Sequence, residues 1–189
     1  MISQVSYRKE WPAEFLQIGR TLRAALGDLA LRIDHIGSTS VPGLAAKDVI
    51  DIQITATGLE PALEEGLRGL GYSRIERIVS DHIPPGQAEQ VGDWAKWVFR
   101  PPAGQREMNL HIRLAGKPNQ RYPILFRDYL RTHPAVADAY AQIKSALARL
   151  HPDDHDAYYD VKDPVCDIIV EAAEAWAAAA GWDEGPTDC

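Results

Sequence analysis

The chain has 189 residues, a length that suits one domain with a sizeable core. Hydrophobic residues make up 46% and charged residues 25%, an ordinary globular composition; the formal net charge of −7 argues against an extended nucleic-acid-binding surface but leaves room for a local basic pocket around a small anion. The two cysteines (Cys166 and Cys189) make no disulfide framework, the first residues carry no apolar leader, and no uncharged apolar run reaches about 18 residues, so the expectation is a cytoplasmic protein that spans no membrane.

In chain order, Pro12 suits a first helical turn, Phe15, Ile18, Leu22 and Leu26 recur at helical spacing, and Gly27 stops that helix. LRIDHI alternates as a strand and places His35 on the same side as Leu31 and Ile33. After a polar turn, DVIDIQIT reads as a second strand, with Val49, Asp51 and Gln53 on one face and Ile50, Ile52 and Ile54 on the other. Leu59, Leu63, Leu67 and Leu70 predict a helix ended by Gly71, and YSRIERI predicts a strand. SDHIPPGQAEQVGDW reads as a loop. KWVFR and REMNLHIRL are strands joined by PPAGQ. Beyond Leu114, four stretches read as helices: PILFRDYLRTH, PAVADAYAQIKSALARL, DDHDAYYDVK and PVCDIIVEAAEAWAAA. Three of them begin at a proline (Pro123, Pro134, Pro164), where the missing N–H is least costly. The expected architecture is α+β: a mixed β-sheet with flanking helices over residues 1–116 and a C-terminal helical segment, 117–189, packed on it. The last residues, DEGPTDC, read as a frayed tail.

The chemistry concentrates in HIGSTSVPGLAAKDVIDIQI, residues 35–54. Gly37 permits close approach of the backbone to a ligand, and Ser38, Thr39 and Ser40 add hydroxyls, a combination that can cradle phosphate; Lys47 adds a cation. A metal-dependent phosphoryl or nucleotidyl transferase needs two carboxylates two residues apart on such a strand, because alternation aims both at one cation pair. Here Asp51 is followed by Gln53. Taken alone, the segment reads equally as a surface turn with a hydrogen-bonded aspartate.

HIGSTSVPGLAAK followed by DVIDIQI resembles the signature of the GrpB family, small bacterial proteins of poorly defined function that are also found fused to some dephospho-CoA kinases. SDHIPPG, DWAKWVFR, MNLHIR, LFRDYLRTHP, AYAQIKSALA and YYDVKDP resemble later blocks of that family, so the likeness covers nearly the whole chain. The resemblance implies a nucleotidyltransferase-like fold of the polymerase-β type, in which a Gly-Ser turn precedes an acid-bearing strand and a later strand supplies a third acid. The matching later strand instead offers Asn109, His111 and Arg113 on one face, away from the core. A lone carboxylate holds Mg²⁺ poorly, so Asp51 as a metal ligand is the weakest part of the likeness.

Other residues carry two readings each. His111 is either a general acid/base facing Asp51 or a structural histidine, and three polar residues on one strand face favour the former. His35 divides evenly between core and site. Lys96 and Arg100 are candidate anion contacts, with Asn109, Arg113 and Gln53 as further substrate contacts. Arg127 either reaches the cleft or makes an ion pair, and Tyr158 and Lys162, four residues apart, form a clamp or an anion contact. The Asp81-His82 loop reads as passive rather than as a lid. HPDDHD reads as a helix cap with first-turn acids rather than as a metal cluster. Three functions follow: a nucleotidyltransferase-fold enzyme using Asp51, Mg²⁺ and His111 on a nucleotide or other small molecule; a metal-independent acid/base enzyme (dehydration, addition or cyclisation) on the same scaffold; or a non-catalytic module that binds a nucleotide or a partner.

Overall fold

A computed structural model describes residues 1–87 and 90–189, and of Val91 only the backbone. Helix α1 (Trp11–Leu26) is followed by β1 (Arg32–Ile36), β2 (Ile50–Ala56), α2 (Pro61–Gly69), β3 (Ser73–Arg74), β4 (Lys96–Arg100), β5 (Met108–Leu114), α3 (Pro118–Thr132), α4 (Pro134–Leu150) and α5 (His155–Ala180). The five strands form one sheet in the order β1-β2-β5-β4-β3. Only β2 and β5 run parallel, at the centre; the other pairs are antiparallel. The fold is therefore α+β with a mixed sheet.

Strand alternation gives the sheet two chemically different faces. Ile50, Ile52, Ile54, Leu110 and Ile112 are fully buried, and they pack with Trp11, Phe15, Leu22, Leu63 and Leu67 from α1 and α2. Each such side chain contributes about 1.5–3 kcal/mol by leaving water. The opposite face carries Asp51, Gln53, Asn109, His111, Arg113 and Lys96. Register sets Asp51 beside Asn109, Gln53 beside His111, and Lys96 beside Arg113. The C-terminal helices cover that face. Their own core joins Leu125, Phe126 and Leu130 of α3 to Tyr140 of α4 and to Ile169, Val170 and Ala173 of α5.

Several expectations need correction. Pro118, not Pro123, opens α3, and Pro123 lies inside it. The two helical stretches on either side of Pro164 are one helix of 26 residues. Proline inside a helix removes one N–H and strains the turn before it; α5 continues because α3 and α4 pack along it. Asp154 caps it as the sequence implied, its side chain accepting from the Ala157 N–H at 2.9 Å. YSRIERI supplies only a two-residue strand; after the Ile75 N–H bonds the Val98 carbonyl, the chain turns off the sheet, with Ile78 N–H on the Ile75 carbonyl. Of the loop read over residues 80–94, positions 88 and 89 lie outside the described residues.

The C-terminal tail is not frayed. Thr187 Oγ1 accepts from the Ile33 N–H at 2.9 Å, the Cys189 N–H donates to the Ile33 carbonyl at 3.1 Å, and Asp188 Oδ2 accepts from the His35 N–H at 2.9 Å. The tail thus covers the open edge of β1, whose unpaired backbone groups are what draw it there. Among the described residues no helix is long and apolar enough to cross a membrane.

Candidate functional site

A cleft of about 650 Å³ lies between the polar face of the sheet and helices α3, α4 and α5. Its floor begins at Gly37, which adopts φ +68° and leads into a 3₁₀ turn over Ser38–Ser40. A Cβ at Gly37 would overlap Asp51 Oδ2, so glycine is what allows the turn to sit against that carboxylate. The turn is anchored from several sides: Ser40 Oγ donates to the Gly37 carbonyl at 2.6 Å, Thr39 Oγ1 lies 3.0 Å from His35 Nε2, and Arg131 donates to the Ser40 carbonyl.

Asp51 accepts from Asn109 Nδ2 at 2.8 Å. Burial pushes its carboxyl above the usual range, and the Asn109 hydrogen bond and nearby Lys162, Arg113 and Lys47 do not cancel that effect. Gln53 stands where a second acid would. It is fully buried and bonded at both ends: Nε2 donates to the Gln120 carbonyl at 2.8 Å, and Oε1 accepts from Arg113 Nη1 at 2.8 Å. It therefore ties β2 to α3 and to Arg113, and the structure places it behind the cleft wall rather than on it.

Arg113, on the later central strand, directs its guanidinium at Asp81, with Nε at 2.7 Å and Nη2 at 2.9 Å. Lys96 and Asn119 also donate to Asp81, at 2.6 and 3.0 Å. Burial alone would raise the Asp81 carboxyl, but Arg113 and Lys96 hold it well below the usual range. So the loop that follows β3 supplies a half-buried, charged carboxylate to the cleft. Nearby His82 lies 2.8 Å from Asp167 of α5.

His111 lines the cleft, and its Nδ1 is buried without a hydrogen-bond partner. Burial, with Arg113 and Lys96 adding to it, drives its pKa well below the ordinary value, so the ring is neutral at pH 7. A buried ring nitrogen left without a partner is costly unless a ligand or water satisfies it, and this one belongs to a residue of the cleft wall.

The far wall is cationic. Lys144 of α4 is almost fully buried, and its Nζ donates to Ser38 Oγ at 2.8 Å and to the Ala45 carbonyl at 2.6 Å. Burial, then the neighbouring Lys162, lowers its pKa to about 7. Lys47 sits over the rings of Tyr158 and Tyr159, at 4.3 and 5.0 Å from their centroids. Lys162 pairs with Asp163 at 3.1 Å. Among the described residues neither Lys47 nor Lys144 has a carboxylate partner, an excess of positive charge within a chain whose net charge is −7.

The sequence-derived candidates thus divide. Asp51, His111, Gly37, Ser38, Thr39, Lys47, Lys96, Arg100, Asn109 and Arg113 all line the cleft. Ser40 is buried with its hydroxyl turned back on Gly37. Arg127 is buried away from the cleft, donating to the His35 carbonyl and to Asp128 and Asp188. His35 stacks on Phe15 with ring centroids 4.8 Å apart, which assigns it to the core. Asp81 and Lys144 were missed. The signal for Lys144 was present: a lysine on the buried stripe formed by Tyr140, Leu147 and Ala148 of an amphipathic helix is out of pattern.

A divalent cation fits this site poorly. Asp51 is a single carboxylate occupied by an amide, Gln53 faces inward, β5 offers Asn109, His111 and Arg113 on this face rather than an acid, and Asp81 is bound by cations. Among the described residues no group of three His, Cys, Asp or Glu side chains is arranged to hold a metal ion.

A family model described as GrpB protein matches residues 1–172. A dephospho-CoA kinase of Mycolicibacterium paratuberculosis is 40% identical over 187 residues, covering 92% of this chain but 46% of that protein, so the chain spans about half the length of this relative. A UPF0157 protein of Halalkalibacterium halodurans, BH1888, is 32% identical over 178 residues, 92% of this chain and 83% of that one. The crystal structure of GrpB from Enterococcus faecalis superposes with a TM-score of 0.70 at 30% identity, over 92% of this chain and 99% of that one.

Proposed function

The chain belongs to the GrpB family, and from that premise we propose that its cleft binds a small phosphate-bearing molecule, a nucleotide or a metabolite of similar charge, and acts on it by acid–base chemistry without a divalent cation. The observation that carries the reading is the opposition of two walls. On one side stand Asp51 and His111, both displaced from their ordinary pKa values by burial; on the other stand Lys47 and Lys144, neither bonded to a carboxylate. Perturbed titratable groups in a cleft are a functional signature when a specific cause accounts for the perturbation.

In this reading Lys47 and Lys162 hold the anionic end of the ligand, with Lys144 behind them at Ser38. The tyrosines around them, Tyr122, Tyr140, Tyr158 and Tyr159, supply an apolar wall for the rest. Asp51, fixed by Asn109, and His111, with a free Nδ1, face the reacting part. Asp51 acts as the base once ionised, and neutral His111 exchanges the second proton. Two-metal nucleotidyl transfer asks for a second acid at Gln53, which carries internal hydrogen bonds instead, and a third on the later strand, which offers Asn109, His111 and Arg113. Nor does the kinase name of the mycobacterial relative transfer: the 189 residues contain no G-x-x-x-x-G-K-[ST] phosphate loop.

Thermal-shift titrations with pyrophosphate and with nucleoside mono-, di- and triphosphates test this, each run in EDTA and again with Mg²⁺. At a ligand concentration about 100-fold above Kd, binding stabilises the fold by about 2.7 kcal/mol. The expected result is stabilisation that survives EDTA, is lost in Lys47→Ala, and is retained in Asp51→Asn. Stabilisation that requires Mg²⁺ and disappears in Asp51→Asn would replace this reading with metal-dependent transfer.

A further inference from the structure

Three hydroxyls lie in the turn after Gly37, and only one is free of the turn itself. Ser40 Oγ is bonded to the Gly37 carbonyl, Thr39 Oγ1 to His35, and both residues are buried. Ser38 is half-buried at the cleft wall, where its Oγ lies 2.8 Å from Lys144 Nζ and also beside the Tyr140 hydroxyl. Lys144 comes from the middle of α4, more than a hundred residues further along the chain. A neutral amine has two N–H donors and one lone pair. At this separation the lone pair of Lys144 is within reach of the Ser38 O–H, the geometry a base needs to activate a hydroxyl nucleophile.

We propose that Ser38 and Lys144 form a serine–lysine dyad in which Ser38 Oγ takes an acyl group from an acyl phosphate bound in the cleft. This rests on the anion-binding reading above and names its substrate class. Ser38 Oγ forms a bond to the carbonyl carbon, the bond from that carbon to the phosphate oxygen breaks, and the electron pair leaves with the phosphate. The serine proton passes to Lys144 Nζ and from there to the departing phosphate, which Lys47 and Lys162 neutralise. The product is an O-acylserine that a second nucleophile can relieve.

The groups facing Lys144 fit the role. Lys162 and Cys166 approach from α5, Lys47 and Asp51 from the segment ending in β2, and Tyr140 from its own helix, with Lys144 Nζ 4.7 Å from the tyrosine ring centroid. Burial and Lys162 oppose its charge, so the amine reaches its neutral form near pH 7, well below the ordinary range of a lysine. A lysine that served only to pin the turn to α4 would hold it better fully charged.

The test incubates wild type, Ser38→Ala, Lys144→Met and Lys144→Arg with acetyl phosphate from pH 6 to 9, with acid quenching and peptide mass analysis. Melting curves with acetylphosphonate, whose carbon–phosphorus bond cannot transfer the acyl group, report binding separately. The expected result is one acetyl group on Ser38, accumulating faster as pH rises through about 7. It should be absent in Ser38→Ala and slower by on the order of 10²-fold in Lys144→Arg, which keeps the charge but cannot accept a proton. If a Lys144 variant fails to fold, the site of acetylation and the pH profile of wild type still decide. Wild type that shows no acetyl on Ser38, or acetyl scattered over surface lysines only, or an undiminished rate in folded Lys144→Arg, overturns the dyad. Stabilisation by acetylphosphonate without acylation would overturn the dyad alone, whereas failure of both would remove the anion-binding reading as well.

Discussion

At Gly37 the backbone takes φ +68° and ψ −172°, a region that costs any residue with a side chain about 1–3 kcal/mol, and the added atom would strike the Asp51 carboxylate besides. Gly37→Ala should therefore lower unfolding free energy by about 2–4 kcal/mol in urea titrations, combining backbone strain with overpacking. It should also displace Asp51 and weaken any ligand response in the cleft. A variant that unfolds at the wild-type midpoint would mean that the turn relaxes without loss and that glycine is incidental there. Gln53 is the other instructive residue. Its position on the strand suggests a diminished metal site, yet its amide bonds both Gln120 and Arg113, so it holds β2, β5 and α3 in one arrangement. Replacing it with a carboxylate would remove the donor to the Gln120 carbonyl and set a buried negative oxygen against that acceptor.

At the scale of elements, the segment least expected to be ordered does structural work. Residues 185–189 lie along β1, satisfying the Ile33 and His35 backbone groups, while Arg32 donates to the Gly185 carbonyl at 2.6 Å and Arg127 pairs with Asp188 at 2.7 Å. Deleting residues 183–189 should expose the β1 edge and leave the almost fully buried Arg127 with one carboxylate fewer. We expect a loss of about 2–4 kcal/mol, from some three backbone hydrogen bonds and the charge partner, together with concentration-dependent association through the open strand. Light scattering and thermal melts of the truncated chain check this; unchanged size and unchanged melting would show that the edge is protected by something else. Helix α5 makes a related point. Its sequence contains a proline that suggests a break, but packing along α3 and α4 keeps it continuous, and continuity is what places Tyr158, Lys162 and Cys166 on one wall of the cleft.

For the whole molecule, buried histidines set the response to acid. His35 titrates at about 3 in the fold, because burial, then Arg131 and Arg127, oppose its charge, and His111 is lowered in the same direction. An unfolded histidine titrates near 6.5, so between these values the unfolded chain binds more protons and stability falls as pH falls. Above pH 6.5 this contribution is flat. Urea unfolding at pH 7, 6, 5 and 4 should show stability declining by up to about 1.4 kcal/mol per pH unit for each histidine, with a shallower slope in His35→Gln. Equal midpoints from pH 7 to 4 would contradict neutral burial of both rings. Lys144 acts at the other end: its folded pKa of about 7 lies below its unfolded value, so the ligand-free protein gains stability from it as pH rises above 7.

The alternation in DVIDIQI and MNLHIRL was sufficient to assign every isoleucine to the core face and Asp51, Asn109, His111 and Arg113 to the cleft, because side-chain direction in a strand is fixed by the local period of two. The same local reasoning located the Gly37 turn and the helix cap at Asp154, but left His35 divided between core and site until its stacking on Phe15 settled it. It misjudged Pro123, Pro164 and the tail, where packing between distant segments overrides local propensity. It did not find Asp81 as the partner of Arg113, or Lys144 as the partner of Ser38, since those contacts join segments 32 and 106 residues apart. The sequence by itself determined which residues a strand or turn offers and to which side. Only the tertiary structure decided which charges meet in the cleft, because burial and the pairing of distant side chains exist only once the helices close over the sheet.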